Sequence, residues 1–110
     1  MAKNNPIPVR WTSFAKKRLI EVHQYIESKV STTVAERVTF ELTDIAESVG
    51  EEPYMYSECR ELPTKSKSYR NIVKWSYRII YKITRENILI LDIFHCKRNP
   101  IHLKKLRRIS

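Results

Sequence analysis

Hydrophobic and polar positions alternate along this chain with two distinct periods, and each period predicts a different element. Ala15, Leu19, Val22 and Ile26 recur at spacings of four, three and four, which places them on one stripe of a helix. Lys16, Lys17, Glu21, Gln24 and Glu27 take the other side, and Thr12 or Ser13 is the expected cap. A second stripe follows almost at once: Val34, Val38, Leu42, Ile45 and Val49. Thr33 and Glu36 read as its capping box, and Gly50 as its left-handed C-cap. Two antiparallel helices in a hairpin are predicted.

The period then changes to two. Tyr69, Asn71 and Val73 oppose Arg70, Ile72 and Lys74; Tyr77, Ile79, Tyr81 and Ile83 oppose Arg78, Ile80 and Lys82. Trp75-Ser76 leaves room only for a tight turn, and Arg85-Glu86 is the next one. Residues 87–94 are nearly all apolar, the pattern of a strand buried on both faces, and Asp92 within them needs a partner. A short strand at residues 7–11 precedes the helices. Residues 51–68, with Pro53 and Pro63, read as irregular apart from an extended piece at 58–62, and the tail from Pro100 as a helical turn or frayed end. The expected fold is α+β, one domain over residues 1–110, in the order β-α-α-β-β-β. The helical hairpin packs on one face of a mainly antiparallel sheet, and the other face is left partly open.

Charge sharpens this picture. The chain has 110 residues and a formal net charge of +9, yet the first 59 sum to −2 and the last 51 to +11. Excess positive charge gathered on an open sheet face is expected to meet an anionic partner, nucleic acid or an acidic chain. With 42% hydrophobic and 30% charged residues the composition is that of a folded globular domain. The longest apolar run, Ile88 to Leu91, is far too short for a membrane span, and no signal-peptide core is present, so the expected location is the cytoplasm. Cys59 and Cys96 match no metal-ligand spacing and read as two reduced thiols; a disulfide or a nucleophilic Cys96 is the less favoured reading. No metal or cofactor is implied, and His23 and His102 read as surface residues.

The last strand ends in His95-Cys96-Lys97-Arg98, groups able to move protons and hold phosphate. Together with Tyr77-Arg78-Ile79-Ile80-Tyr81-Lys82-Ile83, the Asn99-Pro100 ending, the opening Val9-Arg10-Trp11-Thr12 and Arg60-Glu61-Leu62, this chain resembles the RelE/ParE superfamily of toxins from bacterial type II toxin–antitoxin systems. The resemblance spans nearly the whole chain. It implies a small toxin neutralised by a cognate antitoxin. One branch of that superfamily cuts mRNA on the ribosome without a metal, and the other poisons DNA gyrase.

By that resemblance Arg78, His95 and Arg98 are the candidate catalytic residues: the arginines for the phosphate of the transition state, His95 as acid or base. Glu61 is a possible base, and Arg70, Lys74 and Lys97 are candidates for phosphate or nucleic-acid contact. Tyr69 and Asn71 stand where one nuclease subfamily has a lysine pair, and Lys104 where it has a late tyrosine. Each assignment has a plainer rival: Arg78 paired with Glu61 or Asp92, His95 merely hydrogen-bonded at a strand end. Tyr69 and Trp75 could stack on bases, whereas Tyr77 and Tyr81 suit the core. A nucleic-acid-binding module without toxicity is the alternative function, and a structural subunit docking an acidic partner a third.

Overall fold

The computed structural model describes residues 6–97. Its elements are β1 (Val9–Trp11), α1 (Ser13–Lys29), α2 (Thr32–Ser48), a one-turn 3-10 helix (Val49–Glu51), β2 (Tyr69–Lys74), β3 (Tyr77–Ile83) and β4 (Ile88–His95). The sheet order is β1-β4-β3-β2. The β2–β3 and β3–β4 pairs are antiparallel and β1 runs parallel to β4, so the β-α-α-β-β-β order and the mainly antiparallel sheet stand as expected.

Both helices start on a hydroxyl. The Thr12 side chain accepts from the Ala15 N–H at 3.0 Å and caps α1. The cap of α2 is Ser31, which accepts from the Val34 N–H, and not the expected Thr33–Glu36 box. The connection is simply shorter than the periodicity suggested, and Thr33 already lies in the first turn.

Gly50 is also not a left-handed cap. No glycine has positive φ; Val49 ends α2 in ordinary helical geometry. The glycine is required by a close approach. The Ile7 N–H donates to the Gly50 carbonyl at 2.9 Å, and a β-carbon at Gly50 would run into the Ile7 carbonyl oxygen.

The principal core lies between the helices and the sheet. Ala15, Val22, Ile26, Ala35, Leu42, Ala46 and Val49 meet Ile72, Ile79, Tyr81, Ile88, Ile90 and Ile93. Leu19, Val34, Val38 and Ile45 of the predicted stripes are only partly buried against it, while Ala35 and Ala46 are fully buried. Small residues there let the two helices approach.

The second sheet face is covered more than the helical pattern implies. Cys59 and Leu62, from the irregular segment, pack with Tyr69, Ile80, Leu91 and Phe94 into a second cluster. Residues 58–62 make only an isolated bridge, Glu58 to Arg70, although the Cys59 N–H donates to the Tyr69 carbonyl. The Arg85-Glu86 turn needs no glycine because Thr84 holds it: its hydroxyl accepts from the Asn87 N–H at 2.9 Å, and its own N–H donates to the Asn87 carbonyl.

β1 pairs only with Ile88 to Ile90, so the rest of β4 has no strand on that side. Arg18 of α1 takes the place of one. Its Nε lies 3.0 Å from Asp92 Oδ1 and donates to the Ile93 carbonyl at 3.4 Å, and its guanidinium stacks on Phe14. Asp92 is 0% exposed and Arg18 9%, so this is a buried ion pair joining α1 to β4.

Candidate functional site

The strand register decides which candidate residues meet. Tyr77 pairs with His95, and Arg78 with Phe94. Neighbours in a strand point to opposite faces, so Arg78 and His95 are on opposite faces of the sheet. The same rule applied to β2 and β3 puts Arg70 and Lys74 on the face that bears the helices, and Arg78 and Lys82 on the other. These four strand cations are therefore divided between the two faces, and not collected on the open one as the sequence pattern suggested. The strand period itself separates them, since the cations occupy even positions in both β2 and β3 and antiparallel pairing offsets those positions by one.

On the second face Arg78 is the centre of a closed network. Its guanidinium grips Glu61 through two contacts, NH2 to Oε1 at 2.9 Å and NH1 to Oε2 at 3.2 Å. Nε and NH2 both donate to Asn71 Oδ1, at 3.1 and 2.6 Å. The ring of Phe94 lies beneath at 5.4 Å, and Cys59 Sγ is 3.8 Å from NH2. Of the two rivals named for it, Glu61 is the partner; Asp92 belongs to Arg18.

The hydrogen bond from Arg78 holds the Glu61 carboxyl at about 2, well below its usual range. A carboxylate that acidic is a weak proton acceptor at neutral pH. Burial alone would lower the Arg78 value, but the hydrogen bonds it donates to Glu61 and the nearby negative charge together outweigh burial, so the value is raised and the group stays firmly charged. Burial pushes the Cys59 thiol up, which suits a packed, reduced cysteine. Both cysteines are free, Cys59 buried and Cys96 exposed.

The other candidates are dispersed. Arg70 donates to the carbonyls of Tyr56 (2.9 Å) and Lys67 (3.0 Å) and stacks on the Tyr54 ring, tying the irregular segment to β2. The Tyr81 hydroxyl ties the same segment from the core side, donating to the Pro53 carbonyl at 2.7 Å. Burial raises the Tyr81 hydroxyl far above its ordinary value, and raises Tyr77 as well. Lys74 sits over Trp75 at 4.6 Å and Lys82 over Tyr69 at 5.3 Å, so Tyr69 is packed beneath a cation and buried, while Trp75 is exposed.

His95 is exposed. Its Nδ1 accepts from the Lys97 N–H at 3.1 Å, and its ring meets Tyr77 edge-on. His23 is half-buried on α1. Arg98, His102 and Lys104, and the tail from Pro100, lie outside the described residues.

His95 and Lys97 do border a concavity that periodicity could not reveal. A groove of about 1070 Å³ runs between the helix hairpin and the ends of β3 and β4. Its apolar surface comes from Tyr25, Val30, Val38, Trp75 and Tyr77, and Arg37, Glu41 and Lys97 are charged groups along it. The signal in the sequence was weak: Tyr25 and Val30 fall off the helical stripe, and both are more than half exposed. Among the described residues, no three His, Cys, Asp or Glu side chains cluster as metal ligands, and no helix is long and apolar enough to cross a membrane.

Comparison with known proteins places this geometry. A search of curated protein sequences finds no significant match. The fold is similar to a chain of the chromosomal ParDE toxin–antitoxin system from P. aeruginosa, with TM-score 0.68 and 13% identity, covering 83% of this chain and 97% of that one. It is similar also to a chain of the RelBE2 toxin–antitoxin complex from Mycobacterium tuberculosis, with TM-score 0.61 and 20% identity, covering 84% and 94%. At these identities the likeness concerns the fold. The family model for the ParE toxin of type II toxin–antitoxin systems, parDE, matches residues 9–100 of the sequence. This chain, a helix hairpin on a four-stranded sheet with Arg78 locked to Glu61, belongs to the ParE toxin family.

Proposed function

We propose that this chain is the growth-inhibiting toxin of a type II toxin–antitoxin module, that a cognate antitoxin neutralises it in the cytoplasm, and that it acts by binding DNA gyrase rather than by cutting mRNA. Family membership supports the first part. One observation carries the choice of mechanism: Arg78, the arginine that a nuclease would turn toward the scissile phosphate, has its donors committed to Glu61 and Asn71. It also faces away from His95.

Metal-free RNA cleavage needs a proton acceptor, a proton donor and a phosphate-holding cation within reach of one reacting phosphodiester. The described candidates are divided between two sheet faces, and Glu61 is a poor base. A toxin that works by occupying a protein surface needs none of these groups to converge.

Induction of the chain in growing cells tests this reading. Gyrase poisoning gives filamentation with DNA-damage signalling, and purified toxin inhibits supercoiling by gyrase in vitro. Rapid translational arrest with mRNA cut at ribosomes would overturn the mechanism, and in that case Arg98→Ala should abolish the cleavage. Growth unaffected by induction, with tight binding to nucleic acid alone, would favour a nucleic-acid-binding module instead.

A further inference from the structure

One row of residues crosses all four strands on the second face of the sheet. Arg10 of β1 is opposite Leu89 of β4, Leu89 is opposite Lys82 of β3, and Lys82 is opposite Tyr69 of β2. Arg10 is exposed, and Lys82 stands over the Tyr69 ring at 5.3 Å. At two strand spacings, the backbones of the two cations are about 10 Å apart.

The row lies at the end of the sheet where β2 begins and β3 ends, and two connections project beside it. In the first, the hydroxyls of Thr64, Ser66 and Ser68 lie at 3.1 to 3.5 Å from one another, and the exposed Lys65 and Lys67 alternate with them. Lys67 has φ 55°, a conformation strained for a long side chain, and such strain concentrates where function holds the backbone. The Ile83 N–H donates to the Ser68 carbonyl at 2.8 Å, which fixes this loop beside Lys82. The second connection carries the exposed Arg85, and its neighbour Glu86 is the one carboxylate on either connection. Among the described residues, none of the five cations is ion-paired.

Unpaired cations set among hydroxyls suit phosphate oxygens, which accept hydrogen bonds from both. Two other partners fit less well. Single-strand binders present aromatic faces to bases, whereas Tyr69, the one ring in the row, is 5% exposed. Protein interfaces have an apolar centre, whereas Leu89, the one aliphatic side chain in the row, is only partly exposed. A second copy of this chain, at +9, would set cation against cation.

We infer that Arg10, Lys65, Lys67, Lys82 and Arg85 form a sequence-independent surface for the phosphate backbone of duplex DNA. None of them lines the groove beside the helix hairpin. The surface goes beyond the gyrase reading and rests on it only for the choice of DNA over RNA, because gyrase works on duplex DNA.

The full chain titrated against a short labelled DNA duplex of arbitrary sequence, at several salt concentrations, tests this. Five phosphate contacts give a log–log salt slope of about −4.5. Arg10→Gln/Lys67→Asn/Lys82→Gln should weaken binding at least about tenfold at low salt and flatten the slope by about 2.7; Asn at 67 tolerates positive φ. The control Lys16→Gln/Lys17→Gln/Lys29→Gln removes the same charge from exposed positions of α1 and should leave the slope unchanged. Both thermal midpoints should stay within about 4 °C of the parent. Should the first variant unfold, Lys67→Asn alone should flatten the slope by about 1.

An equal loss in both triple variants shows an effect of net charge alone and overturns the surface, as does a parent chain that binds no duplex. Tighter binding of RNA, duplex or single-stranded, or of poly-glutamate overturns it in favour of those partners. Supercoiling inhibited without any binding to free DNA removes the surface and keeps the gyrase reading. DNA bound as expected with supercoiling untouched keeps the surface and removes the gyrase reading.

Discussion

Replacing Arg18 by methionine tests how the molecule is held together at its least expected point. The substitution keeps much of the side chain's length and apolar stem but removes the charge 3.0 Å from Asp92. Asp92 is 0% exposed, so the substitution takes the Arg18 charge away from a fully buried carboxylate. Breaking a buried pair from one side costs about 3–5 kcal/mol. The exposed Glu21 contact at 3.9 Å adds little to that. A domain of this size is stable by only about 5–15 kcal/mol, so the loss is a large share of the total.

Urea unfolding followed by circular dichroism reads it directly. With a slope of about 1.5 kcal/mol/M, the midpoint should fall by about 2–3 M. The double variant Arg18→Met/Asp92→Val replaces both charges with apolar groups and should recover most of the loss, since a buried pair exchanged for packed side chains is often neutral. An Arg18→Met variant that loses less than about 1 kcal/mol would refute the argument. It would mean that Asp92 is neutral or that water reaches it.

Three further outcomes follow from the same structure. Gly50→Ala should destabilise by about 1–3 kcal/mol, because the added methyl displaces residue 7 and its hydrogen bond; thermal unfolding measures it. Tyr81→Phe should cost about 1–2 kcal/mol and raise protease cleavage within residues 52–57, since the Pro53 carbonyl loses its donor. Glu61 is depressed from an ordinary 4.5 to about 2, so its pairing stabilises the fold fully above pH 4.5 and is lost as pH falls toward 2. Arg78→Met should flatten the stability–pH curve in that window, and an unchanged curve would show that the pair is not what holds the carboxylate down.

The sheet and hairpin were legible in the sequence because periodicity is a local property. Leu19, Val22 and Ile26 face the core whatever the helix packs against, and Tyr77 to Ile83 alternates whichever strand lies beside it. Capping was less legible: Ser31 and Thr33 offer the same hydroxyl, and only the geometry of the interhelix turn selects between them. Gly50 was recognised as special for a reason that proved different, since a helix end and a close backbone contact both call for a missing β-carbon. The candidate site was the least legible part. Arg78 and His95 were named, but their separation depends on strand register, and Trp75 was marked as part of a turn and as a possible base-stacking ring, with no sign of the groove it lines.

The amino-acid order alone determined which segments become helix and strand, the succession β-α-α-β-β-β, the asymmetry of charge along the chain and the motifs that carry the family resemblance. All of these rest on spacings of a few residues or on simple sums. Tertiary structure decided that Arg18 answers Asp92, that Glu61 closes on Arg78, that the cations divide between two faces, and that Trp75 reaches the groove beside Val30. Each of these joins residues that are distant along the chain. Their free energy comes from desolvation, charge pairing and register, which exist only once the elements have packed.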